Sequence, residues 1–305
     1  MMKKFEVTIL GSSAALPTRN RNLPAQVVNY RDRLFLIDCG EGTQMHLKRN
    51  RIRVGRINHI FISHLHGDHF YGLIGLVSTY HLLGRREALH VYGPDPLEQI
   101  IRVQLEASQT TLFYPLVFHT TQHAAPEEIF NDGRISVTSL PLLHRVPTTG
   151  FLFREQPHPK KLLWDVADKY GVPVAAFESI RNGNDYIDED GNRIYNTELT
   201  QESAPARSYA YCSDTGFYEP LADMVRGCDL LYHEATFMQE LLASAREKQH
   251  ATAVDAATIA GLAGAKRLLL GHFSARYEDL QPLLDEAKEV FSQTELAEDD
   301  ATYEV

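Results

Sequence analysis

The densest group of potential metal ligands in the sequence is the segment His64-x-His66-x-Asp68-His69. It follows a short apolar run, which is typical of a buried strand that ends where the ligands begin. In extended backbone, residues two apart project to the same side, so His64 and His66 can bind one metal ion. Asp68 and His69 can then serve a second ion, and Gly67 permits the tight backbone path that this crowding needs. The spacing therefore predicts a two-metal site.

Three further residues are candidates to complete this site. His144, Asp214 and His272 each follow an apolar segment with the pattern of a strand. A single histidine or aspartate after a strand is more typical of an ordinary hydrogen-bonding residue. In an open α/β sheet, however, sites form beyond the ends of the strands, so three such residues together predict a common cleft. Imidazoles with carboxylates suit Zn²⁺, and Mn²⁺, Fe²⁺ or Co²⁺ are compatible with the same ligand types.

The elements that must position these residues alternate between strands and helices. Apolar runs predict strands at 5–10, 34–38, 57–62, 89–92, 135–140, 151–153, 209–212, 230–232 and 267–270. Helical periodicity is present at 70–83, 96–107, 254–263 and 280–291. This alternation predicts an α/β layered fold. The segment 154–207 interrupts it with proline, glycine and asparagine, a composition typical of a loop-rich insertion.

The order of these residues resembles the five motifs of the metallo-β-lactamase superfamily. The motif residues are Asp38, His64-x-His66-x-Asp68-His69, His144, Asp214 and His272. Within the superfamily, the chain is similar to the ribonuclease Z family through segments 11–20, 40–44, 213–216, 233–237, 250–253 and 271–277. The resemblance implies a single domain over 1–305, built as a four-layer αβ/βα sandwich. It also implies that 154–207 is an inserted exosite arm that binds tRNA.

The resemblance also implies roles for individual residues. Two Zn²⁺ ions per subunit are implied, one held by His64, His66 and His144, the other by Asp68, His69 and His272, with Asp214 bridging them. Two such ions can activate water and neutralise charge on a phosphodiester. The implied reaction removes the 3′ trailer from precursor tRNA, leaving a 3′-hydroxyl on the tRNA and a 5′-phosphate on the trailer.

Proton transfer is predicted to involve three residues. Asp68 would accept a proton from the nucleophile in addition to binding metal. His250, oriented by Glu234, is a candidate donor to the leaving oxygen. Because His250 lies just before the helical pattern that starts at Thr252, a helix-capping or solvent-exposed role is the alternative. Ser274 and Arg276 are candidate phosphate contacts, and Asp38 is expected to position a ligand imidazole.

The insertion departs from the family pattern. Asp168-Lys-Tyr-Gly-Val-Pro173 resembles the start of the glycine-proline part of the family's arm, but Val174-Ala-Ala176 follows where a further Gly-Pro pair is usual. The insertion holds seven basic and ten acidic residues. RNA binding by charge would therefore depend on local clustering of Lys160, Lys161, Lys169 and Arg181. An insertion that does not touch RNA is the alternative.

Charge and cysteine content bear on partners and location. The net charge of −10 would oppose a polyanionic partner, but residues 1–60 hold eleven basic against four acidic residues, and 278–305 hold one against ten. The three cysteines show no metal-binding spacing, and no segment has signal-peptide or membrane-spanning character. These features predict a cytoplasmic protein with no membrane contact, and the family resemblance adds a homodimer.

Two other functional classes fit parts of the sequence. A phosphodiesterase, arylsulfatase or lactonase acting on a small molecule would use the same metal ligands. A non-catalytic binding protein on this fold would be expected to lack some of those ligands, and this chain retains all of them. We therefore expect a metal-dependent endoribonuclease that processes tRNA.

Overall fold

A computed structural model describes residues 4–305 and divides them into two compact units. One unit holds the chain up to Arg154 together with Ser208–Val305, and the other is Glu155–Arg207. The strands of the described chain are β1 (Phe5–Gly11), β2 (Ser13–Ala14), β3 (Ala25–Tyr30), β4 (Arg33–Ile37), β5 (Ile57–Phe61), β6 (Leu89–Gly93), β7 (Leu116–Thr120), β8 (Glu127–Asn131), β9 (Ile135–Pro141), β10 (Thr149–Glu155), β11 (Lys161–Leu162), β12 (Tyr186–Ile187), β13 (Arg193–Ile194), β14 (Thr200–Gln201), β15 (Ser208–Cys212), β16 (Leu230–Glu234), β17 (Arg267–Gly271), β18 (Phe273–Ser274), β19 (Thr294–Leu296) and β20 (Thr302–Glu304).

The helices lie between these strands. They are α1 (Thr43–Arg49), α2 (Gly67–Phe70), α3 (Leu73–Leu82), α4 (Pro96–Ala107), α5 (Trp164–Lys169), α6 (Phe177–Arg181), α7 (Asn196–Leu199), α8 (Pro220–Met224), α9 (Leu242–Lys248), α10 (Ala253–Ala263) and α11 (Gln281–Val290). Short 3₁₀ turns occur at Val54–Arg56, Val174–Ala176 and Gln239–Leu241.

The larger unit contains two seven-stranded sheets. Their orders are β20-β1-β3-β4-β5-β6-β7 and β19-β17-β16-β15-β10-β9-β8. Within the first sheet, β4, β5, β6 and β7 are parallel, and within the second, β15, β16, β17 and β19 are parallel. Because the carboxyl ends of parallel strands share one edge, each sheet gathers the residues that follow its strands.

Apolar side chains on both faces of each sheet produce four layers. Alternate residues of β1, such as Phe5, Val7 and Ile9, face alternate residues of the second sheet, such as Phe153 and Tyr209, in the central core. The opposite face of the first sheet packs against α1, α3 and α4, and that of the second sheet against α8, α10 and α11. The predicted α/β class and αβ/βα sandwich are confirmed.

Helix α10 shows how the sequence produces a close helix-to-sheet contact. Five alanines of this helix are buried, and small side chains let its backbone approach the sheet. Its start is fixed by a capping box, in which the Thr252 side chain accepts from the Asp255 N–H and the Asp255 carboxylate accepts from the Thr252 N–H. Gly264, at φ 61°, ends the helix in the left-handed conformation that glycine adopts without strain.

The smaller unit, Glu155–Arg207, has a core of its own. This core consists of Leu162, Ala167, Val172, Ile180, Ile194 and Leu199. The Asn196 side chain donates to the carbonyl oxygens of Ile180 and Asn184, which ties α7 to the segment after α6. At the base of the unit, the Arg207 guanidinium binds the Glu155 carboxylate at 3.1 Å.

The expected helix 70–83 is interrupted near Gly72 by a close backbone approach. A β-carbon at Gly72 would overlap the carbonyl oxygen of Gly40, in the loop after β4. In the same region, Cys39 N donates to His69 O at 2.7 Å, and Gly72 N donates to Cys39 O at 2.9 Å. The loop after β4 and the ligand-bearing loop after β5 are therefore in direct contact through their backbones.

Replacement of Gly72 by alanine should disturb this contact. We expect Gly72→Ala to lower the free energy of unfolding by ~1–3 kcal/mol, because the added methyl group meets backbone that cannot move aside. Gly75→Ala, one turn further into α3, is the matched control, because the nearest atom to its new methyl group would lie 3.6 Å away. Alanine there should raise stability by ~0.5–1 kcal/mol. Equal effects in urea unfolding would contradict the close-approach explanation.

Candidate metal centre

The site begins at Asp38, a fully buried carboxylate directly after β4. Its Oδ1 accepts from the Ser63 N–H at 2.7 Å, and its Oδ2 accepts from the Tyr211 hydroxyl at 2.6 Å and from His69 Nδ1 at 2.7 Å. Asp38 has a φ of 53°, a left-handed conformation that aspartate tolerates better than most residues. One carboxylate thus joins the ends of β4, β5 and β15 and orients the His69 ring.

The loop after β5 brings the predicted ligands together. His64 Nε2 lies 2.9 Å from His66 Nδ1, and His144 Nε2 lies 3.4 Å from the same atom. His64, His66, His144 and Asp214 offer one ligand atom each within 4.8 Å of one another. Asp68, His69 and His272 form a second group of the same kind. The structure therefore places all seven predicted metal ligands in two adjacent groups.

Asp214 lies between the two groups. Its Oδ2 is 3.6 Å from His64 Nε2 and 3.7 Å from His144 Nε2, on the side of the first group. Its Oδ1 is 3.3 Å from His69 Nε2 and 3.0 Å from His272 Nε2, on the side of the second. One carboxylate oxygen therefore faces each group, which is the arrangement that a bridging ligand requires.

Buried atoms without hydrogen bonds test whether these residues fit metal ions. Within residues 4–305, His69 Nε2, His272 Nε2 and Asp214 Oδ1 are buried and make no hydrogen bond, although they lie close together. Buried polar atoms nearly always have a hydrogen-bond partner, because an atom without one loses its hydrogen bonds to water and gains none in the protein. Three such atoms around one point fit a cation that accepts electron pairs from all of them.

The electrostatics favour ionised carboxylates and a neutral His64. Burial opposes charge on Asp214, but the imidazoles of His272 and His69 outweigh it and hold the pKa of the carboxyl well below its usual value. Burial lowers the pKa of His64, and the neighbouring His69 ring lowers it further. Burial lowers the pKa of His69, but the neighbouring carboxylates, Asp214 foremost, outweigh it and hold this pKa well above its usual value. Because neutral imidazole is the form that binds a metal ion, metal binding at His69 would release a proton.

Glu234 and His250 form a pair beside the two groups. Glu234 Oε1 accepts from His250 Nδ1 at 2.7 Å and from the Thr215 N–H at 2.9 Å, and its Oε2 accepts from the Thr236 hydroxyl. Burial lowers the pKa of His250, but the Glu234 carboxylate outweighs it and raises this pKa to about 9. The helix cap that was the alternative role for His250 is supplied by Thr252.

Comparison with known proteins places the chain in a family. A beta-lactamase superfamily domain model matches residues 33–273, which include all seven predicted ligands. Ribonuclease Z from Bacteroides fragilis is 49% identical over 298 residues, covering 98% of each chain, and ribonuclease Z from Porphyromonas gingivalis is 46% identical over 293 residues, covering 96% of each. The chain belongs to the ribonuclease Z family. The human short-form tRNase Z has the same fold, with a TM-score of 0.72, 29% identity and 98% coverage of both chains.

Several residues that position the predicted ligands were not predicted from the sequence. The Nδ1 atoms of three ligand rings are held by Ser63 Oγ (His64, 3.0 Å), by the carbonyl oxygen of Gln249 (His144, 2.9 Å) and by Thr236 Oγ1 (His272, 3.0 Å). Tyr211 acts on His69 through Asp38. Thr236 belongs to the family segment 233–237, so only this residue carried a sequence signal.

The Tyr211 hydroxyl offers a test of this positioning. Tyr211→Phe removes one donor to Asp38, so the Asp38 carboxylate should hold the His69 ring less firmly and affinity for a divalent metal ion should fall about 10- to 100-fold. Tyr209→Phe is the matched control, because Tyr209 is equally buried in β15 but donates to Gln26. Competition with a chromogenic chelator measures both affinities. An equal fall in the two variants would show that the loss reflects general destabilisation.

Proposed function

We propose that this chain is a metal-dependent endoribonuclease that removes the 3′ trailer from precursor tRNA, leaving a 3′-hydroxyl on the tRNA and a 5′-phosphate on the trailer. The observation that carries the proposal is the Glu234–His250 pair beside the two ligand groups that share Asp214. Relatives that are 46–49% identical over nearly the whole chain are named ribonuclease Z, which supports the substrate.

The proposed cofactor is a pair of zinc ions. His64, His66 and His144 would hold one ion, Asp68, His69 and His272 the other, and Asp214 would contact both. Ligand sets rich in imidazole suit Zn²⁺, and Mn²⁺, Fe²⁺ and Co²⁺ are compatible. When bound, the ions supply Lewis acidity that activates water and neutralises charge on the phosphodiester.

Asp68 is the proposed proton acceptor. Its side chain lines the cleft of about 490 Å³ that also exposes His250 and Arg276. Burial raises the pKa of Asp68, but the His69 and His272 imidazoles outweigh it and hold this pKa well below its usual value, so the carboxylate is ionised. The Ala15 N–H donates to its Oδ2 at 3.0 Å, which fixes the orientation of the carboxylate.

His250 is the proposed proton donor. Its Nδ1 binds Glu234, which leaves Nε2 as the nitrogen that can transfer a proton to the leaving 3′-oxygen. With a pKa near 9, the ring carries this proton at neutral pH. Glu234 accepts hydrogen bonds from three other groups. These bonds fix the Glu234 carboxylate, which in turn fixes the orientation of the His250 ring.

Loss of His250 should slow cleavage more than it weakens binding. We expect His250→Ala to reduce kcat on a trailer-bearing precursor tRNA by about 10²- to 10⁴-fold, the usual contribution of a positioned acid. His123→Ala is the control, because His123 is an exposed loop residue outside the cleft. Single-turnover cleavage by the zinc-loaded enzyme measures the effect. A wild-type enzyme that leaves the precursor intact, or turns over a cyclic nucleotide or lactone better, would contradict the proposed substrate.

The smaller unit is the proposed exosite arm. Two of its lysines are exposed, Lys161 in β11 and Lys169 in α5. Neither ammonium group lies within 4.0 Å of a carboxylate in the described chain. Lys160, by contrast, pairs with Glu202 at 2.8 Å. Trp164, the only tryptophan of the chain, is 66% exposed on the same helix. Exposed cations and an exposed indole on one unit are suited to contact RNA.

Binding to the arm should be visible through Trp164. We expect precursor tRNA to change the tryptophan fluorescence, and Lys161→Gln with Lys169→Gln to weaken binding and reduce the salt dependence of log K by about 1 per lysine. Lys288→Gln, on the exposed face of α11, is the control. Cleavage with unchanged fluorescence and unchanged affinity in the double variant would show that the arm does not touch RNA.

We further propose a homodimer in the cytoplasm. Helix α3 buries Leu73, Leu76 and Val77, yet Leu82 and Leu83 at its end are 82% and 67% exposed. An exposed apolar patch of this kind is typical of an interface, and sedimentation equilibrium tests it. All three cysteines are free and buried, in keeping with a reducing compartment. Within residues 4–305, no helix has the length and apolar character to cross a membrane.

A further inference from the structure

Phe237 lies at a junction of three segments beside the metal centre. It follows β16, and its side chain is 2% exposed. Its N–H donates to the Ala251 carbonyl oxygen at 3.2 Å, and its carbonyl oxygen accepts from the Ala253 N–H at 3.0 Å. These two bonds fix the backbone of Phe237 against the segment that follows His250. The position of the ring is therefore set by the backbone and not by a flexible loop.

Two cations lie over the Phe237 ring. The Arg276 guanidinium carbon is 5.0 Å from the ring centroid, and Lys248 Nζ is 5.7 Å from it. Both distances are within the range in which the ring quadrupole attracts a cation. Arg276 and Lys248 are 28 residues apart in sequence, so the ring brings together charges from α9 and from the turn after β18.

The turn that carries Arg276 is itself anchored. The Arg21 guanidinium donates to the carbonyl oxygen of Tyr277 at 2.7 Å, and the Tyr277 hydroxyl accepts from the Met238 N–H at 3.0 Å. The second bond joins the turn to the residue next to Phe237. The turn that carries Arg276 is therefore tied to the segment that carries Phe237.

Neither cation is paired with a carboxylate in the described part of the chain. Across residues 4–305, no carboxylate lies within 4.0 Å of the Arg276 guanidinium or the Lys248 ammonium group. Both side chains are exposed, and both line the cleft that contains Asp68 and His272. An acidic partner would orient these cations but cancel their charge, whereas an aromatic ring orients them and leaves their charge available to a ligand.

We propose that Phe237 is a positioning residue for the RNA substrate, whose ring holds Arg276 and Lys248 together at the edge of the cleft so that both bind backbone phosphates next to the scissile bond. This inference rests on the proposed function. It assigns Phe237 a role through the two cations and not through the metal ligands or His250, although the His250 ring is also near it, at 6.1 Å.

A background without the two cations separates this role from simple packing. In the zinc-loaded wild-type background, Phe237→Leu should raise KM for precursor tRNA about 3- to 30-fold, the range expected for a lost cation–π contact, while kcat changes much less. In the Lys248→Gln/Arg276→Gln background, the same substitution should change KM less than about two-fold, because the ring has no cation left to hold. Phe237→Met, which also removes the ring, repeats the comparison if the leucine variant folds poorly.

The salt dependence of binding gives a readout that needs no change at Phe237. The Lys248→Gln/Arg276→Gln variant should bind precursor tRNA with a slope of log K against log salt reduced by about 2, since each lost phosphate contact removes about 1. Phe118→Leu is the control for the ring, because Arg102 lies 5.7 Å over Phe118 on β7, away from the cleft, and KM should not change.

Three outcomes would overturn the proposal. The first is that Phe237→Leu changes KM equally with and without the two cations. The second is that Phe237→Leu lowers kcat in the cation-free background as well, which would show that the ring acts through His250. The third is an unchanged salt slope in the double glutamine variant. Failure of the wild-type enzyme to cleave precursor tRNA would instead contradict the proposed function.

Discussion

The hydrogen bonds of Asp38 are the interaction on which the site depends. This buried carboxylate accepts from the backbone and side chain of Ser63, from His69 and from Tyr211, and these groups belong to both sheets. A buried polar group is costly unless it is hydrogen-bonded, so these four bonds stabilise the contact between the sheets. Because Asp38 holds His69 Nδ1, the Nε2 atom of that ring is left to face the ligand groups. The sandwich and the metal centre therefore share one set of bonds.

The ligand cluster itself has a different energetic character. Its ligand atoms are crowded, with His64 Nε2 2.9 Å from His66 Nδ1 and His272 Nε2 3.0 Å from Asp214 Oδ1. Three of its buried polar atoms lack hydrogen bonds in the described chain. Such a cluster without metal contributes little to stability, because desolvation opposes every charge in it. Binding of metal satisfies these atoms, so metal affinity and folding free energy are linked. The surrounding bonds to Ser63, Thr236 and Gln249 keep the rings in place against this cost.

The sequence predicted the metal-binding residues better than the strands and side chains that hold them in place. The nine predicted strands are present, because each is a short apolar run, and all seven ligands meet as expected because each follows such a run. Strand β3 was not predicted, although its residues are nearly all buried, and β20 was missed because Thr302–Glu304 has no apolar pattern. Its pairing with β1 is decided by contacts almost 300 residues apart in the chain. Gln249 was missed for the same reason, since its contact with His144 joins residues 105 positions apart in the chain.

The position of the acidic residues explains how a chain of net charge −10 can bind a polyanion. In the carboxyl-terminal segment, Glu295 Oε1 lies 2.9 Å from Arg267 Nη2, and Asp300 Oδ2 lies 3.6 Å from Arg49 Nη1. Part of the negative charge of this segment is therefore neutralised by neighbouring arginines. Asp299 is directed inward, where it accepts from the Ser12 hydroxyl and the Asn22 N–H. Screening limits each exposed charge to roughly 8 Å at physiological ionic strength, so an RNA phosphate at the cleft responds to nearby groups. The nearest of these groups include Lys248 and Arg276, which have no acidic partner within 4.0 Å in the described chain. Local pairing, and not net charge, therefore decides whether the cleft attracts RNA.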